Sequence, residues 1–185
     1  MSAAGPDSKK FRETLGLFPT GVSVVATRID GQVHAMTANA VSSLSLDPPL
    51  VLFCPAKRAR FSALLPLVSG FSINFLRDEQ QALATYFAGF WKEPVPPRYR
   101  FITTDALPRL EGGLASLMCE KREVYECGDH WLVTLEVRKL HRGIEPLRPL
   151  VFFRSEYRRL EAGAGTQAPD LANTADEPVQ MYYHD

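Results

Sequence analysis

Three short runs in this chain carry side chains able to do chemistry at close spacing. The first is Thr37-Ala38-Asn39-Ala40, with Ser43 three residues on. It offers one hydroxyl, one amide and small neighbours. A flat ligand can lie against such a run, because bulky side chains would displace it, and its polar edge can be hydrogen-bonded there. The same four residues also read as a turn with an asparagine at its corner. The second run, Cys54 to Ser62, holds three cations in four residues, Lys57, Arg58 and Arg60. Guanidinium groups grip phosphate in bidentate fashion, and solvated loops carry the same residues. The third is Gly128-Asp129-His130. Here Asp129 can cap a corner, while His130 either hydrogen-bonds a ligand or points to solvent.

Metal and disulfide chemistry are disfavoured. Cys54, Cys119 and Cys127 are odd in number, with no CxxC spacing, and read as reduced, at least partly buried thiols. His34, His130, His141 and His184 are never paired at i, i+4.

The elements that must position these runs are mostly strands. Residues 9–17 have helical spacing through Phe11, Thr14, Leu15 and Phe18, and Pro19-Thr20-Gly21 stops that helix. Val22 to Thr27 is β-branched, Asp30-Gly31 is a hairpin turn, and Val33 to Thr37 returns. Val41 to Leu46 alternates, predicting a strand with one face inside. Asp47-Pro48-Pro49 is a turn, and Leu50 to Cys54 a short apolar strand. Ala59 to Val68 predicts a short helix that Pro66 distorts. Phe71 to Leu76 is a strand. Asp78 to Ala88 is a helix with Asp78 as its N-cap and Leu83, Tyr86 and Phe87 on one face. Pro94, Pro96 and Pro97 mark an extended loop. Leu114 to Val124 and Trp131 to Leu140 are long strands joined at Gly128-Asp129, and Val151 to Phe153 is the last strand. Short strands and frequent turns predict a mainly β fold, an antiparallel barrel with a few flanking helices.

Composition bounds the rest. The chain has 185 residues, 45% hydrophobic and 23% charged, with 21 basic and 21 acidic side chains. One domain with a substantial core is expected. Zero net charge gives no reason to expect nucleic acid or an anionic membrane as partner. No run approaches the ~18 apolar residues of a transmembrane helix, and the start lacks a signal-peptide core, so a cytoplasmic location is expected. The expected organisation is a flexible arm over residues 1–10, a domain over 11–160, and a tail over 161–185 with five acidic residues and no Lys or Arg. Met181-Tyr182-Tyr183 is apolar enough to dock, on a partner subunit or over a site.

Several of these pieces, in this order, resemble the flavin-reductase-like family, whose members supply reduced flavin to two-component monooxygenases. They are Phe18-Pro19-Thr20-Gly21-Val22, Met36-Thr37-Ala38-Asn39, Ser43 to Val51, Phe71-Ser72-Ile73-Asn74, Tyr86-Phe87-Ala88-Gly89, Gly128-Asp129-His130, and Pro149 to Phe153 with Tyr157. The resemblance implies a split β-barrel of the Greek-key, FMN-binding type, working as a homodimer. It implies NAD(P)H-dependent reduction of FMN or FAD, with a flavin-dependent monooxygenase receiving the product. Thr37, Ala38, Asn39, Ala40 and Ser43 would contact the flavin, with Thr20 and Gly21 nearby. His130 would orient the nicotinamide, with proton handling secondary, and Tyr157 would touch a ring. Phe87, Phe90 and Trp91 can wall the site, or serve as core and dimer contacts.

Departures from the family pattern lie at the phosphate end. A Ser-Ser-x-Thr pattern is usual there, and Ala59 and Phe61 take two of its hydroxyl positions. Cys54, Lys57, Arg58, Arg60 and Ser62 remain to bind phosphate, diphosphate or the NADPH phosphate. A neutral hydrogen bond contributes about 0.5–1.5 kcal/mol and one to a charged group about 1.5–3 kcal/mol, so one arginine offsets two lost hydroxyls. Ala40 stands for a usual Ser, and Ala35 for a usual Gly, which would be strained if that position needs positive φ. Two alternatives follow from these changes: a split-barrel flavoprotein that retains its cofactor and acts on a dedicated small molecule, or a non-catalytic cofactor-binding module.

Overall fold

Hairpins between consecutive strands account for most of the chain. A computed structural model describes residues 5, 7–104 and 106–161. The expectation for Met181-Tyr182-Tyr183 lies outside the described residues. Helix α1 (Ser8–Leu15) starts where the Asp7 carboxylate accepts the Lys10 N–H. The expected arm is thus already helical by Ser8. No residue of α1 is buried, and Phe11 and Leu15 are exposed.

Strand β1 (Thr20–Gly21) follows, where the sequence reads only a helix stop. Its pairing partner lies 130 residues away, which no local pattern reveals. Strands β2 (Ser23–Ile29) and β3 (Gln32–Ala38) form the expected hairpin, with Asp30 at φ 49° and Gly31 at φ 80°. Both central residues at positive φ match the right-handed twist of the strands. Ala35 sits mid-strand opposite Ala26, outside the left-handed region, so it is not strained.

Strands β4 (Val41–Leu46) and β5 (Pro49–Phe53) form the next hairpin. Contrary to the alternating pattern, β4 buries neither face: Leu44 and Leu46 are 48% and 81% exposed. It is an edge strand, and nothing among the described residues covers its outer side chains. The expected helix over Ala59–Val68 is a 3-10 turn at Arg60–Leu64, cut short before Pro66.

Strand β6 (Gly70–Phe75) leads to a 3-10 turn (Asp78–Gln80) and helix α2 (Gln81–Phe87). Asp78 is not the cap: it lies inside the 3-10 turn, buried, with its carboxylate 3.6 Å from Arg148. The expected helix face is partly right, since Leu83 is buried while Tyr86 and Phe87 are half-buried. Then come β7 (Phe101–Thr104) and β8 (Leu107–Leu110), a hairpin the sequence did not announce. The long strands β9 (Ala115–Cys127) and β10 (His130–Arg142) turn at Gly128-Asp129 as expected. Strands β11 (Leu150–Phe153) and β12 (Glu156–Arg159) end the fold.

Every strand pair is antiparallel. The main sheet runs β3-β2-β6-β9-β10-β5-β4, and β1-β11-β12 forms a smaller one. The two edges of the main sheet, β3 and β4, are joined by only Asn39 and Ala40. A link that short forces the edges together at one corner, so the sheet rolls into a barrel. The edges do not hydrogen-bond along their length, which makes it a split barrel.

Strand β2 is buried on both faces from Ser23 to Thr27, its two hydroxyl residues included. Val25 packs inside the barrel with Phe53, Phe61, Phe71, Ile73 and Val133. Val22 and Val24 face a second core with Leu76, Leu83, Ala84 and Leu150, where α2 covers the sheet. Asn74, fully buried, ties these layers together. Its amide donates to Val24 O and Ser72 Oγ, and its carbonyl accepts from Leu110 N and Ser116 Oγ. The cysteines differ from expectation at one position: Cys119 is buried and Cys54 half-buried, but Cys127 is exposed beside the turn of the β9–β10 hairpin. No helix among the described residues is long and apolar enough to cross a membrane.

Candidate functional site

The corner that closes the barrel is also where the predicted ligand-contacting residues gather. Strand β3 delivers Thr37 and Ala38. The Thr37 hydroxyl donates to Ala84 O at 2.7 Å and so fastens α2 over the strand. Asn39 and Ala40 are exposed at the corner itself, and Ala40 O accepts the Cys54 N–H at 3.0 Å.

Two cavities meet at Asn39. One, about 330 Å³, is lined by Thr37, Asn39, Thr85, Phe90, Phe152 and Tyr157. The other, about 490 Å³ and almost wholly apolar, is lined by Gly21, Asn39, Val41, Ser43, Val51 and Leu117 among others. Both volumes fall in the ~300–1,000 Å³ range usual for small-molecule sites. Next to Gly21, the Thr20 hydroxyl oxygen is buried and has no hydrogen-bond partner among the described residues. A buried unsatisfied hydroxyl needs an explanation, and a bound polar ligand supplies one. Apolar walls, small corner residues and a few convergent polar groups fit a flat heteroaromatic ring such as flavin. Tyr157 packs edge-on against Phe152 at 5.5 Å. Burial raises its pKa, opposed by a hydrogen bond with Thr85.

The second locus is the Gly128-Asp129-His130 turn. Gly128 adopts φ 58°, the left-handed conformation the turn requires. The Asp129 carboxylate lies 2.7 Å from His130 Nδ1. That hydrogen bond, with a smaller contribution from Arg58, holds the Asp129 carboxyl below the usual carboxylate range. Asp129 thus engages Nδ1 and leaves Nε2 as the ring nitrogen open to a ligand.

The cationic loop is stitched to this turn. Trp131 N donates to Pro55 O, Lys57 N donates to Asp129 O, and Ala56 bridges His130. Within the loop the candidate residues separate by partner. Lys57 is ion-paired with Glu126 and stands 5.2 Å over the Trp131 ring. The Ser62 hydroxyl is held by Ala56 O at 2.7 Å. Both therefore support the loop's own shape. Arg58 is near enough to add to the lowering of the Asp129 carboxyl, and Arg60 lines a third cavity with His34. Burial, then the nearby Cys127, raises the Cys54 thiol pKa, so Cys54 is neutral at pH 7. The bond between Ala40 and Cys54 joins the two loci.

Thr85 and Ser155 also line the smaller cavity and were missed by sequence reasoning. Thr85 lies one residue before the Tyr86-Phe87 pair, a signal that was available. Ser155 sits in a tight β11–β12 turn at φ 64° with no glycine to announce it.

Comparison with known proteins gives a consistent answer. The model of the family described as "Flavin reductase like domain" matches residues 15–161. The reductase subunit HsaB of a flavin-dependent monooxygenase from Rhodococcus jostii (strain RHA1) is 35% identical over 173 residues, 91% of this chain and 86% of that protein. An NADH-dependent flavin reductase from Rhodococcus sp is 37% identical over 153 residues, 81% of this chain and 85% of that protein. Among solved structures, the flavin reductase PheA2 superposes with a TM-score of 0.78 at 35% identity, covering 84% of this chain and 99% of its own. With a family match across the whole barrel, and relatives of this identity spanning nearly their full lengths, the chain belongs to the flavin reductase-like domain family.

Proposed function

We propose that this protein is an NADH:flavin oxidoreductase that supplies reduced flavin to a partner monooxygenase. The observation that carries this reading is the Asn39 corner, where two ligand-sized cavities meet, one of them lined by Gly21 next to Thr20. When bound, flavin accepts a hydride from the nicotinamide of the donor. The protein's part is to bind, orient and then release.

In this reading, Thr20, Ala38, Asn39 and Ala40 hydrogen-bond the polar edge of the ring, largely through backbone and small side chains. Gly21 and Ser43 leave room for the ring, and Tyr157 and Phe90 wall its open side. His130, held by Asp129, presents Nε2 to the nicotinamide and fixes its approach. The Cys54–Arg58 loop takes phosphate, with Arg58 as the bidentate group. The protein works as a homodimer: uncovered Leu44 and Leu46 on β4, beside the apolar cavity, fit a second subunit completing the site.

The deciding experiment follows oxidation of NADH and of NADPH by purified protein without flavin, with FMN and with FAD. Turnover that depends on added flavin and prefers NADH is expected. Flavin retained through dialysis with no nicotinamide oxidation would sink the reading in favour of a resident cofactor and another substrate.

A further inference from the structure

Lys57 holds the chain on both sides of His130. Its N–H donates to Asp129 O at 2.9 Å, one residue before the histidine. Its ammonium stands 5.2 Å from the centre of the Trp131 ring, one residue after it. The same ammonium donates to the Glu126 carboxylate, and Glu126 is the residue of β9 that pairs with Trp131 on β10. One side chain from the loop after β5 thus reaches across β10 to β9. The backbone runs with it: Ala56 bridges His130, and Trp131 N donates to Pro55 O at 2.9 Å.

An exposed ion pair by itself contributes little, and the Glu126 side chain is 69% exposed. Here the pair is the end of a longer clamp. The Lys57 side chain is only 28% exposed, and ring and carboxylate hold its ammonium together. Its charge is spent on Glu126, which leaves the phosphate chemistry of the loop to Arg58.

We propose that Lys57 is a positioning residue that acts through His130: it clamps the phosphate loop to the 128–130 turn and so fixes where Nε2 meets the nicotinamide. The inference rests on the reductase reading above. Flavin phosphate on the loop and nicotinamide at the turn are then held in one register, because the two segments move together. Glu126 and Trp131 acquire a task that nothing in their local sequence announces.

The test compares Lys57→Met, Glu126→Gln and Lys57→Arg. At saturating flavin, Lys57→Met should lower kcat/KM for NADH about fivefold, the combined worth of one exposed ion pair and one cation–π contact. Glu126→Gln, which removes the pair alone, should cost about threefold, and the double variant no more than Lys57→Met. Lys57→Arg keeps charge and stacking and should restore most of the loss. In a His130→Ala background Lys57→Met should cost nothing further, since the group it positions is gone. FMN affinity, read by titration, should stay within about twofold, because the loop keeps Arg58.

Fluorescence gives a readout without any ligand. The chain has two tryptophans, so Trp91→Phe leaves Trp131 as the single emitter. Acrylamide should quench it more readily when Lys57→Met is added, and no more readily with Lys57→Arg. A fall of about tenfold in FMN affinity with kcat/KM for NADH unchanged would make Lys57 a phosphate ligand and overturn the inference. So would an equal loss with and without the His130 imidazole, kinetics that neither variant changes, or quenching that Lys57→Met leaves as it was. Glu126 is exposed, so its variant folds and tests the clamp independently of Lys57. A wild type that binds FMN but oxidises neither NADH nor NADPH would overturn the reductase reading, and the inference with it.

Discussion

His130 is the side chain whose role is most directly open to measurement. Its Nδ1 is committed to Asp129, so its Nε2 is the atom with chemistry left to do. Replacing His130 with Ala should lower kcat/KM for NADH by about tenfold, the worth of one hydrogen bond of about 1.4 kcal/mol, and leave flavin affinity nearly unchanged. Stopped-flow reduction and a flavin titration read the two separately; equal loss of both would reassign His130 to structure. The thiols allow a second prediction. Burial pushes the Cys119 pKa up to about 12, whereas Cys127 is exposed. A thiolate reagent at pH 8 should label Cys127 in the native protein and Cys119 only after unfolding, as peptide mass mapping will show. The approach of Asn39 and Tyr157 to one cavity was legible, because each sits in a short motif. Lys57 and Arg60 were not, because what separates them is direction. Lys57 finds Glu126, 69 positions along the chain, and Arg60 finds a cavity.

Among the strands, β6 depends most on one polar side chain. Asn74 makes four hydrogen bonds in a fully buried position. Asn74→Ala leaves the Leu110 N–H and the Ser116 hydroxyl without their acceptor and removes the side-chain donor to Val24 O. A destabilisation of about 3 kcal/mol is expected, measured by urea unfolding with unchanged m-value. A cost below 1 kcal/mol would mean that water replaces the amide. Strand legibility followed turn chemistry. The β2–β3 hairpin was evident from Asp30-Gly31. The β7–β8 and β11–β12 hairpins were hidden, because Ala106, Arg154 and Ser155 adopt positive φ without being glycine or asparagine. Alternation in β4 promised a buried face that the described residues do not bury.

That uncovered strand leads to a prediction about the assembled molecule. Light scattering should give twice the chain mass, and Leu46→Glu should shift it toward the monomer while far-UV dichroism stays constant, because Leu46 is 81% exposed in one chain. A wild-type monomer would remove β4 as an interface. The order of strands was the least legible feature of all, since it is set by pairings between distant segments. The place of β6 between β2 and β9 has a consequence in time. Five hairpins join strands adjacent in sequence, β2–β3, β4–β5, β7–β8, β9–β10 and β11–β12, and such units form in ~1–10 μs. Strand β6 must instead find Val24 across 50 residues and Ser116 across 42. Loop-closure entropy is spent there before any contact returns it, so the pairing of β6 is slower than that of the hairpins. Asn74→Ala should accordingly slow the folding arm of the chevron more than it speeds the unfolding arm. The residue that fastens the layers of the finished barrel thereby also sets how fast the barrel is made.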